Sequence, residues 1–237
     1  MTELLYLKDS YLKDFEALVI ESKERKIVLD RTAFYPQGGG QPSDEGEIHF
    51  SRGKAYVFKV YKLEDKVIHE VDKEIDEKER VKGIINWPLR YLYMRYHTAL
   101  HILSGIMYHS YKALVTSSQI YKDKARLDFD LQDFKREEIY KVEDEVNRII
   151  KEGREVKIKF VAREEVLKDL IRTKVNLIPP NIKEVRIVEI EGFDAQADGG
   201  THVKNTKEVG KVKIHNFINK GKHNKRIEII LEDDRSI

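Results

Sequence analysis

Trp87-Pro88-Leu89-Arg90-Tyr91-Leu92-Tyr93-Met94-Arg95-Tyr96-His97-Thr98-Ala99-Leu100-His101 marks the point where this chain turns from strand pattern to helix pattern. Pro88 suits the first turn of a helix, and Leu92, Tyr96, Leu100, Leu103 and Met107 continue at helical spacing. Residues four apart share a helix face, so His97 and His101 can aim both imidazoles at one ion. Before this stretch come short β-rich runs: Ala17 to Ile20, Lys26 to Leu29, Gly46 to Phe50, Ala55 to Tyr61 and Lys66 to Val71. The first two are expected to pair across Glu21 to Arg25, and the last two across Lys62 to Asp65. The charged stretch Asp72 to Arg80 reads as a connector.

After the histidine stretch, strands are expected at Arg126 to Leu131, Glu155 to Val161, Val185 to Ile190, Lys211 to Phe217 and Arg226 to Leu231. Helices are expected at Lys135 to Lys151 and Arg163 to Ile171. Without regular βαβ alternation this is an α+β chain. The reading is a small N-terminal β-rich, barrel-like domain over 1–86, then an α+β domain of antiparallel sheet and helices over 87–237. A chain of 237 residues is long enough for two such cores.

A second segment, Asp198-Gly199-Gly200-Thr201-His202, again sets two possible ligands four positions apart. Its glycine pair favours a tight loop that curls round a metal, although an Asp-Gly turn leading into a strand at His202 is the plainer alternative. Cysteine is absent, which excludes disulfides and thiolate metal sites and leaves histidine and carboxylate as the strong ligands. His97, His101, Asp198 and His202 together suit tetrahedral zinc. Four tight ligands would make a closed structural site; a weak or indirect Asp198 would leave room for water and hydrolytic chemistry. Thr98 stands where zinc proteases of the His-Glu-x-x-His type carry a general base, so peptide hydrolysis by that route is not expected.

Nothing at the N-terminus reads as a targeting segment, and no apolar run reaches bilayer length, so a soluble, cytoplasmic protein without membrane association is expected. Charges are nearly balanced, 44 basic against 42 acidic, so a nucleic-acid surface must come from local clustering. One cluster stands out: Lys211, Lys213, Lys220, Lys222, Lys225 and Arg226 lie in a run without a single acid, with Lys204 and Lys207 just upstream. A solvated hairpin would look the same. The segment Phe34-Tyr35-Pro36-Gln37-Gly38-Gly39-Gly40-Gln41-Pro42 is neither a P-loop nor a dinucleotide fingerprint. Its three glycines suit either close backbone approach to a partner or a long flexible loop.

Three motifs in order, Thr32-Ala33-Phe34-Tyr35-Pro36-Gln37-Gly38-Gly39-Gly40-Gln41-Pro42, Arg95-Tyr96-His97-Thr98-Ala99-Leu100-His101-Ile102-Leu103 and Gly199-Gly200-Thr201-His202-Val203, resemble the editing part of alanyl-tRNA synthetase and its free-standing relatives, the AlaX proteins. The resemblance covers nearly the whole chain and is to the medium-length form. It implies hydrolysis in trans of the ester joining serine, and sometimes glycine, to alanine tRNA. It places His97, His101 and His202 on zinc ligands, and Asp198 where the synthetase usually has cysteine, as fourth ligand or as a base holding water. It assigns Thr32 to recognition of the serine hydroxyl, and Gln119 and Thr116 to the segment lining the amino-acid pocket, although Ser117-Ser118-Gln119 replaces the usual Gly-Ser there. It favours acceptor-stem contact by the basic run, and backbone approach to tRNA by Gly38, Gly39 and Gly40. Two other functions fit parts of the pattern: a tRNA-binding module with a structural zinc, and a zinc hydrolase of small esters or amides.

Overall fold

A computed structural model describes residues 2–176, 178 and 182–232. The chain divides into two compact units, Met1–Tyr93 and Met94–Ile237. The boundary lies inside the helix whose start, at Trp87, is where the sequence pattern changes.

The first unit is built on strands β1 (Glu3–Leu4), β2 (Asp14–Lys23), β3 (Lys26–Leu29), β4 (Arg31–Thr32), β5 (Gly46–Phe50), β6 (Gly53–Leu63), β7 (Lys66–Val71) and β8 (Arg80–Ile85). Six of them close a barrel in the order β2-β3-β7-β6-β5-β8, which leaves no open edge within it. The period-2 alternation puts Phe15, Ala17 and Val19 of β2 inside. In β6 the inward row runs Ala55, Val57 and then Val60, a change of phase at a bulge between Val57 and Lys59.

Both expected hairpins form. Their tips are tighter than the sequence suggested, with Lys23 paired to Lys26 and Leu63 to Lys66. Strand β8 was not anticipated: it follows the charged connector, and a glycine at 83 interrupts its apolar row. It nevertheless closes the barrel between β2 and β5.

The glycine segment of the first unit is a built turn, not a long flexible loop. Gly38 and Gln41 exchange backbone hydrogen bonds of 3.1 and 2.9 Å. Gly39 and Gly40 between them have φ of 57° and 83°, positive values that a two-residue hairpin turn of type I′ needs and that glycine supplies without strain. Tyr35 donates its hydroxyl to the Gly38 carbonyl at 2.9 Å. Beneath the segment, the fully buried Arg90 guanidinium pairs with Asp44 and donates to the carbonyls of Ser10 and Ala33 at 3.0 and 2.6 Å.

The second unit takes most of α1 (Trp87–Tyr111), then β9 (Leu114–Ile120), β10 (Ala125–Asp130), α2 (Glu138–Glu152), β11 (Val156–Ala162), β12 (Glu184–Ile190), β13 (Asp194–Ala197), β14 (Lys211–Asn219) and β15 (Lys225–Glu232). They form an antiparallel sheet ordered β14-β15-β10-β9 and a second ordered β11-β12-β13. Within this unit α1 is a core helix: Met94, Ala99, Ile102, Leu103 and Met107 are buried, and so are His97, Thr98, His101 and Ser104. Helix α2 is one-sided, burying Ile139, Val142, Val146, Ile149 and Ile150, and it ends at Gly153.

The helix expected at Arg163 to Ile171 is corrected to two isolated 3-10 turns, Arg163–Glu165 and Lys168–Leu170. Its apolar residues gain little burial, with Val166, Leu170 and Ile171 half-buried and Leu167 69% exposed, too little packing to hold so short a helix.

Candidate metal centre

Helix α1 and the loop following β13 supply the site, both within the second unit. His97 and His101 lie one turn apart on α1, and His202 comes from the loop. The ring centroids of His97 and His101 each lie 4.4 Å from that of His202. Asp198 Oδ1 sits 3.5 Å from His97 Nε2 and 3.9 Å from His101 Nε2, and Oδ2 sits 3.1 Å from His202 Nε2. One donor atom from each of the four falls within 4.8 Å of all the others. Tetrahedral zinc with ligand bonds of about 2.0 to 2.1 Å separates its ligand atoms by roughly 3.3 to 3.4 Å, so small adjustments bring this set onto one ion. The donors fit a metal ion of that kind.

The loop is shaped for this. Two hydrogen bonds tie it to β12, where Asp198 N–H donates to the Arg186 carbonyl at 3.1 Å and the Arg186 side chain returns a bond from Nη1 to the Asp198 carbonyl at 2.9 Å. Gly200 N–H donates to Asp198 Oδ2 at 2.5 Å, which sets the carboxylate's orientation. A Cβ at Gly200 would collide with the His97 ring, so only glycine lets the loop cross so close to that imidazole. His202 lies in this loop and does not open a strand. On the helix side, Gln196 donates to the His101 carbonyl at 3.0 Å and to Asp194 at 2.7 Å.

Burial holds His97 neutral, its pKa lowered to about 4, against the opposing attraction of Asp198. Burial likewise takes His202 well below the ordinary imidazole value, helped by its two histidine neighbours. For Asp198 burial pushes the other way. The attraction of the His97 and His101 rings and the hydrogen bond with His202 outweigh it and keep the carboxyl well below its usual range. Neutral imidazoles beside an ionised carboxylate are the protonation states in which both are metal ligands.

Four residues expected at the site are brought together: His97, His101, Asp198 and His202. The other expected residues are carried by other elements. Gln119 and Thr116 are on β9, half-buried and exposed respectively, and Gln119 donates its amide to the Ile120 carbonyl at 3.1 Å. Thr32 belongs to the first unit and is fully buried; it shares a 2.8 Å hydrogen bond with His69 Nε2 and accepts Phe34 N–H at 3.1 Å. Gly38, Gly39 and Gly40 form the turn of that unit described above.

The basic run is mixed. Lys211, Lys213, Lys220 and Lys222 are exposed, with Lys211 and Lys213 facing Glu232 at 2.7 and 3.9 Å and Lys220 facing Asp128 at 3.3 Å. Arg226 is half-buried and forks onto Asp128 at 2.7 and 2.9 Å. Lys225 departs from the expected phosphate-facing set: it is buried, and its ammonium donates to the carbonyls of Gly221 and Lys222, closing the β14–β15 turn. Sequence reasoning assigned no role to Arg186, Gln196 or the Thr98 hydroxyl. The position of Thr98 between two candidate ligands was the available signal.

With this geometry in place, comparison with known proteins is informative. A family profile described as threonyl and alanyl tRNA synthetase second additional domain matches residues 185–228, and one described as tRNA synthetases class II (A) matches residues 5–89. Parts of the chain are therefore similar to domains of aminoacyl-tRNA synthetases. Alanyl-tRNA editing protein AlaX-M of Methanosarcina mazei is 42% identical over 248 residues, covering 100% of this chain and 99% of the relative. Its counterpart in Saccharolobus solfataricus is 42% identical, covering 96% and 98%. The chain belongs to the AlaX-M family of alanyl-tRNA editing proteins. It is also 36% identical to the alanine–tRNA ligase of Thermoplasma acidophilum over 90% of its own length, which is 25% of that enzyme.

Proposed function

We propose that this chain is a cytoplasmic, trans-acting deacylase that hydrolyses the ester of serine, and of glycine, on alanine tRNA, with zinc held by His97, His101, His202 and Asp198. The observation that carries the reading is the convergence of three imidazole Nε2 atoms and one carboxylate in a member of the AlaX-M family. When bound, the zinc supplies Lewis acidity and a nucleophile from water at neutral pH. The protein supplies the rest. His97 and His202, held neutral by burial, keep their lone pairs available. Asp198 presents Oδ1 beside Nε2 of His97 and His101, from where it coordinates directly or takes a proton from the attacking water. Water oxygen joins the carbonyl carbon, the bond to the ribose oxygen breaks, and that oxygen leaves with a proton. No ATP is required.

Sparing of correctly charged tRNA follows from polar recognition. A site that hydrogen-bonds the serine hydroxyl leaves buried groups unpaired when alanine enters, and such sites discriminate by roughly 10⁴ or more. In this reading Thr32 receives the serine hydroxyl on its remaining lone pair and Gln119 contributes to the pocket. Lys211, Lys213, Lys220, Lys222 and Arg226 contact tRNA phosphates, and Gly38, Gly39 and Gly40 approach the tRNA backbone. The test is incubation of zinc-loaded protein with seryl- and alanyl-tRNA of the alanine acceptor. Rapid loss of the seryl ester with the alanyl ester intact is expected. Equal persistence of both esters overturns the proposal, and tRNA binding without turnover would point instead to a binding module with a structural metal.

A further inference from the structure

We propose that Thr98 is the positioning residue that fixes the ring of His202, holding Nδ1 so that Nε2 is the nitrogen turned to the metal donors. This deepens the metal-dependent reading above and rests on it. Thr98 is fully buried on α1 and sits directly after one ligand, His97. Its Oγ1 lies 3.1 Å from His202 Nδ1 and 3.2 Å from the backbone nitrogen of Val203. The opposite ring nitrogen, Nε2, lies 3.1 Å from Asp198 Oδ2.

The hydrogen-bond inventory of a hydroxyl makes this specific. A threonine hydroxyl has one proton and two lone pairs. Val203 N–H can only donate, so it occupies one lone pair, leaving a proton and a lone pair to face Nδ1. With a metal on Nε2, Nδ1 must keep its proton, and that proton goes to the second lone pair of Thr98. Without metal, Nε2–H can donate to Asp198 while the hydroxyl donates to Nδ1. The ring keeps the same orientation in both states. Turning it over would remove the partner of a buried hydroxyl and point a carbon at Thr98, leaving polar groups unsatisfied in a place that excludes water.

Thr98 also joins parts that are far apart in sequence. His97, Thr98 and His101 travel together on α1, whereas His202 and Val203 belong to the loop. One hydroxyl that binds both a loop ligand and the next backbone N–H locks the loop to the helix ligands before any ion arrives. Partners of this kind, one step outside the ligands, are worth about 10- to 100-fold in metal affinity.

The test uses the full chain. Zinc affinity is measured by competition with a chelating dye for wild type, Thr98→Val and Thr98→Ser, and the ¹⁵N signals of His202 are recorded on zinc-loaded wild type. Thr98→Val, which keeps the shape and removes the hydroxyl, is expected to weaken zinc binding by about 10- to 100-fold, and Thr98→Ser to restore most of it. The His202 signals are expected to show Nε2 bound to metal and Nδ1 protonated. Unchanged affinity in Thr98→Val, metal on Nδ1, or no zinc uptake by wild type overturns the proposal. Should Thr98→Val fail to fold, the nitrogen assignment on wild type still decides it. A wild-type protein that binds zinc with the expected His202 signature but leaves seryl-tRNA intact would overturn the hydrolase reading alone.

Discussion

His69 and His97 are both imidazoles removed from water, one inside the barrel of the first unit and the other in the second unit, and burial lowers both to about 4. Their surroundings differ in kind. His69 Nδ1 faces the Ile27 carbonyl at 3.4 Å, which can only accept, so Nδ1 carries the proton and Nε2 accepts the Thr32 hydroxyl at 2.8 Å. That ring has a protein partner at each nitrogen and serves as a satisfied core group. His97 turns Nε2 toward Asp198 and stands beside two further imidazoles, a gathering of donor atoms that could hold one metal ion. Burial alone therefore does not mark a functional histidine. The convergence of acceptors does.

The strongest way to break this contrast is to remove one ring from each side. His97→Ala is expected to lower seryl-tRNA deacylation by more than about 100-fold, beyond the loss typical of a partner outside the ligands, with tRNA binding retained in a filter assay. His69→Ala is expected to leave zinc stoichiometry unchanged, as measured by metal analysis, and to lower stability by about 2 to 4 kcal/mol in urea unfolding through a cavity and an orphaned Thr32 hydroxyl. Loss of deacylation in His69→Ala at full stability would erase the distinction.

Acid sharpens the same contrast. The folded chain holds His69 at about 4 against 6.5 for an unperturbed ring, so the unfolded chain takes up its proton first as pH falls. Stability tied to the neutral ring is complete above about pH 6.5 and declines toward pH 4, by about 3 kcal/mol for this group. Urea unfolding of the metal-free protein across that range checks the sign, and a stability that rose on acidification would contradict it.

Smaller effects come from the two hydroxyls and the basic surface. Thr32→Val is expected to cost about 1 to 3 kcal/mol of stability, because His69 Nε2 and Phe34 N–H lose their partner, and to reduce the preference for seryl over alanyl esters. A change in stability with unaltered ester preference would make Thr32 purely structural. Replacing Lys222 with Ala is expected to weaken tRNA binding slightly and to make its salt dependence shallower by about 0.7 to 0.9 in slope, the share of one phosphate that the lysine no longer neutralises. Lys225→Ala is expected instead to loosen the β14–β15 turn, which hydrogen exchange at Gly221 to Asn224 would detect.

Much was legible from the sequence where a pattern depends on near neighbours. The strand alternation of β2 and β7, the apolar spacing of α1 and the pairing of His97 with His101 are all local, set by helix and strand periods. Strands β8, β9 and β13 were not legible, because Gly83, the polar run Thr116 to Gln119 and the four residues Asp194 to Ala197 give too little alternation to count. Those strands exist because neighbours across the sheet satisfy their backbone groups, an effect that is invisible from one segment.

The sequence by itself determined the two pairs of donors, the absence of any thiolate alternative, the change from strands to a core helix and the family resemblance carried by three ordered motifs. Tertiary structure alone decided that Asp198 joins the three histidines, since this required a loop tethered to Arg186, a glycine at 200 thin enough to pass the His97 ring, and a Thr98 hydroxyl that meets His202 from the helix. It also decided that Lys225 supports a turn while Lys220 and Lys222 remain exposed. The physical reason is the same throughout: periodicity is local, but a lone pair acquires its role from whatever the folded chain places opposite it.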